Sequence, residues 1–131
     1  MKNIADLGGR ALLSGMFIVS GIGKIGNLEG LGAYMSSAGV PAILAPAVML
    51  FEIAAGLAVL AGFQTRIAAL ALAGFCILSA LLFHFDFADQ AQSIQFMKNF
   101  TIAGGFLILS IYGAGAFSID AQLAKSGANN V

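Results

Sequence analysis

Residues 42–62 read AILAPAVMLFEIAAGLAVLAG, 21 residues in which Glu52, near the middle, is the only charge. A helix of about 20 apolar residues is long enough to cross a bilayer. A carboxylate at mid-depth costs roughly 2.5–3.5 kcal/mol on insertion scales, so such residues turn inward, find a partner and mark a site. The run therefore predicts a membrane span and, on it, a functional residue.

The composition demands the same class. The chain is 60% hydrophobic and 9% charged, where soluble domains average about 25% charged residues. Six basic and six acidic side chains cannot cover the exterior of a soluble fold of 131 residues. An integral membrane protein is expected, with the lipid bilayer as its first partner. Net charge is zero, without a basic block or an acidic tail, which argues against nucleic acid. The single cysteine, Cys76, excludes an intramolecular disulfide and reads as a small buried hydrophobe in an apolar helix. With one His and one Cys, no metal site built by this chain alone is expected.

Four crossings are predicted within one domain, residues 1–131. The first apolar stretch, residues 7–25, carries Arg10 near its start and Lys24 near its end. No soluble domain follows it, and it is read as an uncleaved first helix rather than a signal peptide. Residues 26–41 hold four glycines, with Leu28, Leu31, Tyr34 and Met35 at helical spacing. They predict a short amphipathic helix that is interfacial or re-entrant. The second span is residues 42–62, with Pro46 in its first turn, where proline is tolerated. The third covers the uncharged residues 67–83, followed by a hydrophilic loop over 84–93. The fourth runs from about Phe96 to Phe117, and a polar tail follows from Ser118. Short turns between spans predict an all-α, integral membrane antiparallel four-helix bundle with the short helix between the first and second spans. Lys2, Arg10, Arg66 and Lys125 fall on one side and Lys24 and Lys98 on the other, so both termini are expected in the cytoplasm.

The charges lie on stripes. Arg10, Ser14, Phe17, Gly21 and Lys24 fall four, three, four and three residues apart, and Glu52, Gly56, Val59, Phe63 and Arg66 repeat the pattern. Each set shares one helix face. Basic residues at helix ends also snorkel to water without any further role, but Glu52 is too deep for that. Small residues beside them (Gly21, Gly56, Gly104, Gly105) and the repeat Ala54, Ala58, Gly62 suit close helix contacts. At 1.5 Å per residue Glu52 lies roughly 15 Å below the outer face. The expected outer-half polar site is Lys24, Glu52, His84, Lys98 and Asn99, with Lys24 or Lys98 as the partner of Glu52. Phe17, Phe51, Phe83 and Phe96 are available as its apolar walls. His84 reads equally as a proton-exchanging group or as the polar end of the third helix. Arg10, Arg66 and Asp120 form a cytoplasmic-end charge cluster, in which Asp120 is free to pair with either arginine.

In this order and spacing, Arg10; Ser20–Gly21 with Lys24; Glu52 with Gly56; Gly62–Phe63 with Arg66; Phe83–His84; Phe96 through Asn99; Gly104–Gly105; and Gly113, Gly115, Ser118 and Asp120 form a specific set. The chain resembles the DoxX family of small four-helix bacterial and archaeal membrane proteins, and within it the inner-membrane members. The resemblance spans nearly the whole chain. It implies a plasma-membrane location and a link to redox chemistry, since family members include a small subunit of a thiosulfate:quinone oxidoreductase. With no flavin or nucleotide motif in the chain, the expectation is an auxiliary subunit or partner of a redox or quinone-linked system, not an enzyme on its own. It would bind no cofactor alone, with a quinone as the ligand left open, and would act beside a redox partner protein. The rival readings are a quinone-binding oxidoreductase subunit, a small-molecule or proton carrier, and a purely structural membrane scaffold.

Overall fold

The computed structural model describes residues 1–128. These residues form α1 (Lys2–Gly23), α2 (Leu28–Ser37), a 3-10 turn (Ala42–Leu44) leading into α3 (Ala45–Ala61), α4 (Thr65–Phe83), α5 (Gln90–Tyr112) and α6 (Ile119–Ala128). Among the described residues α1, α3 with its leading turn, α4 and α5 are each long and apolar enough to cross a membrane. They pack as a bundle in which α1 lies broadly on α3 and α4 on α5, while α2 rests on α3 and the 3-10 turn. The outward faces carry Leu12, Val19, Ile67, Ile108 and Ile111, all exposed, which suits contact with lipid rather than water.

The core is narrow and aromatic at its centre. Phe17, Val59, Leu72, Cys76 and Phe106 meet there, one or two from each long helix. Phe106 and Phe75 approach the Phe17 ring edge-on, with centroids 5.5 and 6.2 Å away. That geometry sets the positive edge of one ring on the negative face of another. The α1–α3 contact is close because glycine stands at two levels of it. A Cβ on Gly21 would come within 2.6 Å of Ile53 Cγ1 and 3.2 Å of the Met49 carbonyl, and one on Gly56 within 2.9 Å of Ile18 Cγ1 and 3.4 Å of the Ser14 carbonyl. Lacking hydrophobic drive between helices, a bilayer leaves such close van der Waals approach as a main source of association. Gly105 serves α5 in the same way against Leu13. Gly104 and Ala54 do not: Gly104 faces open space and Ala54 is exposed.

The helix ends differ from the sequence expectation where local caps override the span-length rule. The fourth long helix begins six residues earlier than Phe96, because Asp89 accepts hydrogen bonds from the amides of Ala91 and Gln92 and starts α5 at Gln90. It ends at Tyr112, because Gly113 (φ 79°) and Gly115 (φ 77°) take left-handed backbone that ends a helix. The tail is helical as α6, its first turn capped by Ser118 Oγ accepting from the Ala121 amide at 3.1 Å. Asn27 caps α2 through the Gly30 amide at 3.2 Å. α3 closes in a Schellman motif: the Phe63 amide donates to the Ala58 carbonyl at 2.8 Å and the Gly62 amide to the Val59 carbonyl at 3.2 Å, with Gly62 at φ 71°. This stop cuts the second stripe short. Glu52, Gly56 and Val59 are buried on one face as expected, whereas Phe63 and Arg66 lie beyond the end of α3 and are exposed.

Candidate functional site

The stripe on α1 is the inward face of that helix, since Arg10, Ser14, Phe17 and Gly21 are its buried residues and Lys24 follows half-buried at the C-cap. Lys24 Nζ thereby reaches across to α3 and lies 2.7 Å from Glu52 Oε2. It also donates to Ser20 Oγ at 2.6 Å, and Ser20 Oγ donates to Glu52 Oε1 at 3.3 Å. The three side chains close a triangle in which ammonium, hydroxyl and carboxylate each touch the other two. The Oε2 contact is ionic and lies off the hydrogen-bond direction. Glu52 is 5% exposed, and its charge is balanced within the bundle.

His84, Lys98 and Asn99 do not join this triangle. His84 stands half-buried at the end of α4, its Nδ1 2.7 Å from Gln92 Oε1. Asn99 turns back to its own helix, donating to the Gln95 carbonyl at 3.0 Å. Lys98 is exposed on the outer face of α5, because the inward face of α5 is set by Ala103 and Phe106 and Lys98 lies off it. What Lys24 and His84 share is a cavity of about 320 Å³ between α2, α3 and α4. Val48, Phe75, Leu78 and Met35 wall it, Ser79 adds a hydroxyl, and Phe83 lines it while stacking on Tyr34 with centroids 5.1 Å apart. Phe17 and Phe51 belong instead to the core, and Phe96 packs with Phe85, Phe87 and Phe100 away from this cavity.

At the opposite end Arg10, Arg66 and Asp120 are neighbours that make no ion pair with one another among the described residues. For Arg10 and Asp120 the reason is that backbone groups claim them first. Arg10, 1% exposed, donates through Nη1 to the carbonyls of Leu60 (2.8 Å) and Val59 (3.2 Å) and through Nη2 to that of Phe117. It caps the carbonyl end of α3, where a cation also meets the negative pole of the helix. Asp120 accepts from the Gln64 amide (2.8 Å), the Thr65 amide (2.9 Å) and Thr65 Oγ1 (2.7 Å), and so caps the amide end of α4. Its own amide donates to the Gly62 carbonyl at 2.8 Å. Burial pushes the Asp120 carboxyl upward, but the hydrogen bonds from Thr65 and Gln64, with the charge of Arg10, outweigh it and hold the group below its ordinary value. Arg66 is exposed and its guanidinium lies over Gly113.

Sequence reasoning passed over Ser20, Ser79 and Thr65 as functional groups. Ser20 carried a usable signal, since it precedes Lys24 by four residues and so shares its face. Ser79 and Thr65 carried none, because their roles come from α2 and from residue 120, both distant in sequence.

A bundle of four membrane-length helices with an ion pair sealed between the first two spans is a small multi-pass membrane protein with a charged interior. The DoxX family profile matches residues 5–85. The chain is 49% identical over 128 residues to inner membrane protein YqjF of Escherichia coli strain K12, a match covering 95% of this chain and 98% of that protein. It is 34% identical over 112 residues to inner membrane protein YphA of the same strain, covering 80% of each. No solved structure matches the chain. The protein belongs to the DoxX family, and the matched residues include Arg10, Lys24, Glu52, Arg66 and His84 but not Lys98, Asn99 or Asp120.

The triangle predicts an asymmetry between its two charged members. Lys24→Met strands a buried carboxylate and should destabilise the bundle by about 3 kcal/mol or more. Glu52→Gln should cost less, because the amide still bonds Ser20 and Lys24 retains access to the cavity. Thermal unfolding of both variants in the same detergent checks the order, and an equal or reversed order refutes the pairing. At the other end, Asp120→Ala should cost about 1 kcal/mol at pH 7 by removing the α4 cap. A carboxyl held below its ordinary value stabilises fully above an unfolded pKa of about 3.9, and that stability fades as pH falls through the folded value. The gap between wild type and Asp120→Ala, followed by unfolding scans from pH 7 to 3, should therefore be constant down to about pH 4 and shrink below it.

Proposed function

We propose that this protein is an auxiliary subunit or partner in a redox or quinone-linked system of the bacterial inner membrane, with Lys24–Ser20–Glu52 as its intramembrane ionisable site. One observation carries the reading: a compensated charge pair set deep between α1 and α3, with one member, Lys24, also lining an apolar cavity. An ion pair that served only to fix helix register would need no such cavity beside it. The ionisable groups are engaged with each other and leave none poised as a nucleophile, so the part is supporting rather than catalytic. The location follows the two relatives, both inner membrane proteins by name. The second reading, a quinone-binding oxidoreductase subunit in its own right, draws on the same cavity, where Lys24 is the donor available to a carbonyl and His84 a second polar contact.

Extraction of the native protein in a mild detergent separates these readings. An auxiliary role predicts a stable complex with a redox protein, weakened by Glu52→Ala. Recovery of the chain alone with a bound quinone supports the second reading, and recovery alone without a ligand removes both. The orientation proposed with it, both termini in the cytoplasm, rests on the four-to-two distribution of Lys and Arg. A reporter active only in the cytoplasm should give signal when fused after Val131 and none after Ala91, and the opposite pattern would reverse the topology.

A further inference from the structure

We infer that the cavity beneath α2 binds an uncharged aromatic lipophile carrying a hydrogen-bond-accepting oxygen, and that Glu52 is the residue that makes the site prefer neutral over anionic ligands. The inference deepens the proposed intramembrane site and depends on no partner protein.

The walls set the first part of this class. The lining is apolar and aromatic, with Phe75, Phe83 and Tyr34 contributing rings and Lys24, Ser79 and His84 the polar groups. A few convergent polar groups in an apolar cleft are the usual makeup of a small-molecule site. At about 320 Å³ the space is at the low end of the usual range of roughly 300–1,000 Å³, and it suits a single small ring system. Leu44, Leu78 and Leu82 line the cavity and are also exposed on the flank of the bundle, so its mouth opens toward the acyl chains rather than toward water. A ligand entering there has already dissolved in the bilayer.

The polar groups set the rest. The Lys24 ammonium donates to Ser20 Oγ at 2.6 Å and, at 3.5 Å, to the Ser20 carbonyl, while Glu52 Oε2 at 2.7 Å is an ionic contact off the hydrogen-bond direction. Lys24 lines the cavity with donor capacity left for a ligand. His84, with Nδ1 occupied by Gln92, adds an acceptor when its ring is neutral. A lone ammonium would select an anion. Here Glu52 Oε2 sits 2.7 Å from Nζ, so the pair has no net charge, and an anion on Nζ would face a carboxylate at close range in a poorly screened interior. A carbonyl oxygen takes the same hydrogen bond without that repulsion.

The test uses the purified full chain in lipid nanodiscs and two probes of nearly equal shape, 2-acetonaphthone (a neutral ketone) and 2-naphthoate (an anion). Binding is measured by equilibrium dialysis against nanodiscs without protein. Wild type should bind the ketone at least about tenfold more tightly than the carboxylate. Val48→Phe, which fills the cavity without touching the charged triangle, should cut ketone binding about tenfold or more, as should Leu82→Trp at the mouth if Val48→Phe fails to fold. Glu52→Gln should reverse the preference, since Lys24 then carries an unbalanced charge. Equal binding of both probes, absence of binding, or a preference that survives Glu52→Gln unchanged would each overturn the inference. A partner complex lost in mild detergent would leave these affinities as they are, so the two readings fail separately.

Discussion

An ionised group in hydrocarbon must be balanced by the chain that carries it, and in this bundle both balancing groups sit on one face of α1. Lys24 neutralises Glu52, and Arg10 takes the carbonyls that the end of α3 cannot bond itself. Fourteen residues separate the two, about 21 Å along the helix, so α1 is pinned to α3 at two levels. Between the pins Gly21 and Gly56 let the backbones close to contact. A one-residue slip would turn the face by about 100° and lose both pins and both glycine contacts together. Register is thus specified by electrostatics at two levels and by shape between them. The remaining helices are attached to this hairpin in turn: α4 through the tight turn at Gly62, and α5 onto α4.

Arg10 shows why a buried cation need not signal an ion pair. A guanidinium offers five donors in a fixed fork, which suits several carbonyls at once. The end of α3 presents such carbonyls where Phe117 arrives from the far end of the chain. Gly62 makes room for this convergence. A Cβ there would fall 2.4 Å from Ser118 Cβ and 2.6 Å from Arg10 Nη1, besides the strain of its positive φ. Asp120 then caps α4 and steadies Gln64, the non-glycine residue with left-handed backbone (φ 47°) in the same turn. One short turn is therefore held from two sides, by the first helix and by the last.

What could be read from the sequence follows from which forces are local. Helical spacing gave the inward faces of α1 and α3, and depth arithmetic narrowed the partner of Glu52 to Lys24 or Lys98, because both depend only on rise and rotation per residue. The same arithmetic was available for α5, since stepping back from Phe106 and Ala103 reaches Asn99 and Phe96, both half-buried, and leaves Lys98 about 100° away. It was missed because hydropathy placed the start of the span at Phe96, while the Asp89 cap begins the helix at Gln90. The split of Asp120 from both arginines was not legible. It depends on amides freed at the start of α4, and those sit more than fifty residues from the carboxylate that takes them.

The cavity lies where these constraints are weakest. α1 and α3 are drawn together by glycine contacts and two polar pins, and α4 and α5 by a broad face, but α3 and α4 share less surface beyond their common turn. The space that opens between them is left to α2, a helix of ten residues that contains Gly30 and Gly32. Gly32 is buried, and its close approach to Ala42 draws α2 toward the 3-10 turn rather than toward α4. On the α4 side the gap is bridged by the Tyr34–Phe83 stack. A longer or bulkier α2 would fill the gap and make the bundle solid, at no cost to the pins that set its register. Lys24 belongs to both the tight α1–α3 half and the open half of the molecule. It contacts Glu52 on one side and lines the space under α2 on the other.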